Sequence, residues 1–219
     1  MSNAVLNHIL DLLYPRKCVF CGKVIDKRDV CNDCAAILPL TKGDAVSQKL
    51  PFISACVSPL YYDDIVRDSF LRYKFKGIQA YATYYGRIMA KCAENNLDCS
   101  TIDVISCVPL SKKRERKRGY NQSRLISKEI SDRLGIPEKE LLRKVKDTPA
   151  QSRTKSTKER LTNVSGVYSM QNGVSVEGKT VLLVDDIVTT GATLSECARI
   201  LRRAGAKQVF AVTLARHRD

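Results

Sequence analysis

The sequence predicts an α/β fold: a mostly parallel sheet flanked by helices, carrying a small four-cysteine metal ribbon at its amino terminus. Three observations carry that expectation. From about residue 52 onward, short apolar runs alternate with amphipathic stretches of helical period. One apolar run, Val181, Leu182, Leu183 and Val184, leads straight into two acids and a Thr-x-Gly-x-Thr turn. Upstream, Cys18 and Cys21 repeat the C-x2-C spacing of Cys31 and Cys34.

Taken in order, residues 1–15 place Val5, Ile9, Leu12 and Leu13 on one helical stripe. The segment has no basic n-region and no small-residue cleavage site, so it reads as a docking helix and not a signal peptide. An interfacial membrane helix would need a basic face, which it lacks. The two C-x2-C pairs follow with nine residues between them, and four thiolates suit a closed tetrahedral Zn2+ site. No βαβ pattern surrounds either pair, which argues against a thioredoxin-like redox role. No histidine lies near, so this metal is expected to be structural. Residues 38–51 read as a polar connector punctuated by Pro39, Gly43 and Pro51. The chain therefore divides into a ribbon and connector, 1–51, and an α/β domain, 52–219.

Within the α/β domain, 53–60 reads as a strand, and 64–73 and 81–95 as helices. A strand at 104–108 runs into a basic loop, and a helix from about 121 to 134 follows. The strand 181–184 is expected to end at Asp185, with a loop over 187–193 and then a helix to about 203. A strand at 208–214 completes the pattern. No apolar run is long enough to span a bilayer. The other five cysteines are scattered through apparent core segments, and the total of nine is odd. That is no disulfide framework, and cytoplasm is the expected address.

Net charge is +14 and the excess is local: residues 111–160 hold 17 Lys or Arg against 7 Asp or Glu. So concentrated a field suits an anionic partner, although many charge runs are simply solvated surface. Lys112, Lys113, Arg114, Arg116, Lys117 and Arg118 crowd into seven residues. Residues 142–163 are basic and almost without apolar side chains, and read either as a surface loop or as a lid.

The acid-rich strand end carries the chemistry. Backbone N–H groups at a helix start suit a phosphate, Thr189, Thr190 and Thr193 add hydroxyl donors, and Gly191 permits close approach. Asp185 and Asp186 would repel phosphate, so they suit sugar hydroxyls or a phosphate-bound Mg2+. A phosphorylated sugar satisfies both halves. Neither a G-x-x-x-x-G-K-[ST] nor a G-x-G-x-x-G phosphate motif occurs.

Residues 180–193 resemble the 5-phosphoribosyl-1-pyrophosphate (PRPP) loop of type I phosphoribosyltransferases. The resemblance implies that Asp185 and Asp186 take the ribose hydroxyls, while Thr189, Thr190, Gly191, Ala192 and Thr193 take the 5′-phosphate. It assigns the pyrophosphate, with Mg2+, to Ser111, Lys112, Lys113 and Arg114. The acid that serves some purine-transferring relatives as general base is replaced here by Thr189. Arg118-Gly119-Tyr120-Asn121-Gln122, Lys74-Phe75-Lys76-Gly77, residues 62–67 and the closing 213–216 narrow the resemblance to the ComF family of bacterial competence proteins, ComFC type. That family implies handling of single-stranded DNA during natural transformation, with competence-machinery partners. Lys113, Arg114, Arg116, Lys117 and Arg118 would then track phosphates, and Tyr73 and Tyr120 would offer stacking. The alternative is an active phosphoribosyltransferase of nucleotide metabolism, moving ribose 5-phosphate from PRPP to a base or other nucleophile.

Overall fold

The computed structural model describes residues 15–26, 28–146 and 166–218. The expected amino-terminal helix and most of the segment 142–163 lie outside them. The element order is α1 (Asn32–Ile37), β1 (Ser47–Leu50), β2 (Ile53–Val57), β3 (Leu60–Tyr61), α2 (Asp64–Phe75), α3 (Tyr81–Asn96) and β4 (Val104–Cys107). There follow α4 (Lys112–Arg118), α5 (Gln122–Leu134), β5 (Leu142–Lys144), β6 (Tyr168–Met170), β7 (Thr180–Val188), α6 (Ala192–Arg203) and β8 (Gln208–Arg216).

The main sheet runs β1-β2-β8-β7-β4, with β3 also on β8, and is parallel except for the β1–β2 pair. Both faces are covered, so its central strands are apolar throughout and do not alternate. In β7, Leu182 and Val184 join the core beneath α2, α3 and α5, whereas Val181 and Leu183 join the core beneath α6. That split follows from the two-residue period of a strand.

Four local expectations need correction. The connector contributes an edge strand, β1, which turns into β2 through Pro51 and Phe52. Proline presets the first turn position, and Phe52 takes φ +65° at the second, as a type II turn demands. The strand expected over 53–60 breaks in two at Ser58 and Pro59. There the Ser58 hydroxyl pairs with that of Thr213 at 2.7 Å, and Pro59 has no N–H for the ladder. β7 does not end at Asp185 but continues through Val188 beside β8, so both acids stand within the strand. The basic loop is the helix α4, capped by Ser111 Oγ, which accepts from Arg114 N at 3.4 Å, and closed by Gly119 at φ +82°.

The ribbon packs onto α2 and α3 and joins their core. Phe20, between Cys18 and Cys21, is fully buried and meets Tyr84 edge-on at 5.7 Å. Burying such a ring contributes about 1.5–3 kcal/mol. Ser69 Oγ donates to Val19 O at 2.5 Å and Arg72 donates to Phe20 O, so α2 grips the backbone of the knuckle. Arg87 of α3 adds an ion pair to Asp29 at 2.6 Å.

Candidate ribose-phosphate site and zinc centre

Sulfur atoms of Cys18, Cys21, Cys31 and Cys34 lie within 4.8 Å of one another. Cys21 and Cys31 are 3.8 Å apart, the separation of about 3.8 Å that a tetrahedron of 2.3 Å Zn–S bonds requires. Cys31 N donates to Cys18 Sγ and Cys34 N donates to Cys31 Sγ, each at 3.4 Å. Burial raises the Cys18 thiol, but the N–H donors around it outweigh burial and lower it to about 6. Four converging sulfurs with N–H groups aimed at them fit a structural zinc ion. The cysteines of the α/β domain do not converge on one another among the described residues. Burial pushes Cys56, Cys92 and Cys107 up to about 12 and Cys197 well above its usual range, leaving packing thiols of low reactivity.

At the carboxyl ends of β4 and β7 a polar cavity opens, where ligands of such sheets bind. Its floor forms because β4 stops pairing with β7 at Cys107 and Val184. Beyond that point the strand edge is free, and the two acids occupy it. Asp186 N donates to Asp185 Oδ1 at 2.9 Å, and Ile187 N donates to Asp186 Oδ1 at 2.6 Å, so each acid's side chain accepts from the N–H that follows it. Ser123 Oγ donates to Asp185 at 3.3 Å and Lys74 Nζ reaches Asp186 at 3.4 Å. Burial first, and then the Asp186 charge, raise the Asp185 carboxyl to about 7.

Opposite the acids, Thr189, Thr190, Gly191, Ala192 and Thr193 turn into α6. Gly191 stands at φ +70°, and a Cβ there would come within 2.2 Å of Leu50 Cδ2. Glycine is thus needed for the fold as well as for close approach of a ligand. Arg114 and Arg118 line the cavity from α4, and Lys144 and Tyr168 from the β5–β6 pair, with the Lys144 ammonium 5.4 Å from the Tyr168 ring centre.

The structure therefore brings together Asp185, Asp186, all five residues of 189–193 and Arg114. Ser111 does not line the cavity; it is buried as the α4 cap. Lys112, Lys113 and Arg116 are exposed on the outer face of α4. Of Lys117 only the helical backbone is described. Tyr73 and Tyr120 are buried, Tyr73 donating to Gln122 O at 2.9 Å and Tyr120 donating to Tyr73 O, so neither offers a stacking face. Gln122 is also buried, while Asn121 caps α5 by accepting from Ser123 N at 3.1 Å.

Sequence reasoning missed Lys74, Arg118 as a cavity residue, Ser123, Lys144 and Tyr168. Lys74 and Arg118 stood in the two short motifs already singled out, and Lys144 in the basic segment. Ser123 directly follows the second of these motifs, and Tyr168 carried no signal. A cavity with N–H groups at one end, cations along one wall and paired carboxylates on the floor is chemically matched to a sugar bearing phosphate groups.

Two domain families match the sequence: the phosphoribosyl transferase domain over residues 121–219 and the double zinc ribbon domain over residues 9–45. Competence protein ComFC of Bacillus subtilis is 29% identical over 204 residues, covering 91% of this chain and 77% of that one. Competence protein ComFC of Streptococcus pneumoniae is 30% identical over 190 residues, covering 85% and 74%. The DNA utilization protein YhgH of Salmonella typhimurium is 28% identical over 199 residues, covering 88% and 86%.

Proposed function

The chain belongs to the ComFC family of competence proteins, and from that premise we propose that its cavity binds PRPP or a related ribose phosphate while its basic surface handles single-stranded DNA. The observation that carries the ligand reading is the joining of Asp185 and Asp186 to the 189–193 turn in one cavity. The acids accept ribose hydroxyls, the turn N–H groups hold the 5′-phosphate, and Arg114 and Arg118 face the pyrophosphate. The paired carboxylates are also a fitting neighbour for Mg2+, which would neutralise pyrophosphate charge when bound.

The DNA reading is supported by the exposed cations Lys112, Lys113 and Arg116, which do not line the cavity, and by the name DNA utilization protein carried by one relative. Whether the bound ribose is also transferred turns on the acceptor. Thr189 cannot replace an acid as general base for a nucleobase, so retention of PRPP as a bound ligand fits this site better than purine transfer.

Calorimetry with PRPP and Mg2+ tests the ligand reading. The Asp185→Asn, Asp186→Asn double variant keeps size but accepts hydroxyls more weakly, and a loss of about tenfold or more is expected. Unchanged PRPP affinity would move the site elsewhere. Gly191→Val is a poor probe, since its side chain would strike Leu50 before any ligand. Following pyrophosphate release against bases and oligonucleotides then separates binding from turnover.

A further inference from the structure

Phe75 is 66% exposed although it is a large ring at the end of a well-packed helix. Tyr73, two residues earlier, is fully buried, and two helical steps turn the side chain about 200° away from the core. The ring is not left alone in solvent. The Arg118 guanidinium lies 5.4 Å from its centre, and Arg118 is fixed from behind by donating to Gln122 Oε1 at 2.9 Å. Gln122 is 2% exposed, and its Nε2 has no hydrogen-bond partner among the described residues. Arg118 and Gln122 line the cavity, as does Lys74, the residue before Phe75, whose ammonium reaches Asp186. The segments Lys74-Phe75-Lys76-Gly77 and Arg118-Gly119-Tyr120-Asn121-Gln122 thus meet at one rim.

We propose that Phe75 and Arg118 form a nucleobase platform at the rim of the ribose-phosphate cavity, so that the site holds a nucleotide unit and not a sugar phosphate alone. The proposal rests on the reading of that cavity given above. An exposed aromatic face binds any base by stacking, and a guanidinium beside it adds cation–π attraction and donors for ring nitrogens or carbonyls. Lys74 reaches Asp186, and Arg118 joins the Phe75 ring to the cavity lining, so a base on a ribose held at Asp186 would extend toward this pair. The base belongs either to a free nucleotide or to one unit of a strand. No base-specific acceptor is present on the platform, so stacking predicts little preference among bases.

Three probes titrated into the full chain test this: ribose 5-phosphate, AMP, and a deoxythymidine oligomer of about ten nucleotides. Phe75→Ala is expected to weaken at least one base-bearing probe by about fivefold or more, with ribose 5-phosphate affinity unchanged and Phe75→Tyr restoring binding. Loss with AMP identifies a free nucleotide as a source of the base; loss confined to the oligomer identifies a strand. Equal weakening of ribose 5-phosphate would mean that Phe75 merely supports the cavity, and unchanged binding of both base-bearing probes would remove the platform; either overturns the proposal. If wild-type protein ignores ribose 5-phosphate but binds a base-bearing probe through Phe75, the sugar-phosphate reading fails and the platform stands. Binding of no probe overturns both.

Discussion

A carboxyl raised to about 7 beside a second carboxylate is an unusual residue for a fold to keep. Its cost has a defined sign. A carboxyl whose folded pKa lies above its unfolded value near 4 favours the folded state while protonated, and that contribution is lost as pH rises through about 7. Asp185→Asn cannot ionise and escapes the loss. It should therefore match wild type near pH 4 and be the more stable at pH 8, by roughly 1–2 kcal/mol once coupling to Asp186 is discounted. Thermal unfolding of both proteins at both pH values checks this, and an advantage of the Asn variant over wild type no larger at pH 8 than at pH 4 would contradict the burial argument. The ribose phosphate or Mg2+ proposed above would relieve this acid on binding.

The helix α4 sorts five basic residues by geometry. Arg114 and Arg118, four apart, share the face that lines the cavity, while Lys112, Lys113 and Arg116 are exposed. Two activities are expected to separate accordingly. Arg114→Gln with Arg118→Gln should lower PRPP affinity about tenfold or more, through loss of charge-assisted hydrogen bonds. Lys112→Ser, Lys113→Ser and Arg116→Ser should leave PRPP binding intact and flatten the salt dependence of oligonucleotide binding, by about 0.7 in log–log slope per lost contact. Calorimetry and a salt titration on both variants read the two effects. If each triple or double change altered both ligands alike, the division of α4 into an inner and an outer face would carry no functional meaning.

At the scale of the whole molecule, the zinc ribbon and the α/β domain share one core. Cys18, Val19, Phe20 and Cys34 pack in the same cluster as Tyr85, Ile126 and Val212. The helix gripping the knuckle carbonyls through Ser69 and Arg72 also carries Lys74 to Asp186. Losing zinc should therefore damage more than the ribbon. Cys18→Ser with Cys31→Ser should abolish the bound zinc, about one ion per chain, and lower the Tm of the single unfolding transition by about 5 °C or more. It should also weaken PRPP. An early ribbon transition that leaves the main Tm and PRPP affinity untouched would show two independent units. Among the described residues no helix is long and apolar enough to cross a membrane.

Much of this protein was legible because its signals are local. The Cys18, Cys21, Cys31 and Cys34 spacing sets a ligand set whatever surrounds it, and they do converge within 4.8 Å. The apolar run before Asp185 and the Thr-x-Gly-x-Thr turn likewise specify strand, turn and helix start within fourteen residues. Only the tertiary structure decided the rest, because it depends on partners distant in sequence. β7 runs past its acids because β8 pairs with it as far as Arg216. Residues 112–118 fold into a helix despite like charges at four-residue spacing, helped by the Ser111 and Gly119 caps. Tyr73 and Tyr120 are buried because their rings meet 5.9 Å apart in the core that α2, α3 and α5 share, whereas Phe75, two residues on from Tyr73, is turned outward. Local sequence determined which chemistry is present; packing determined which side chains share the cavity and which face away from it.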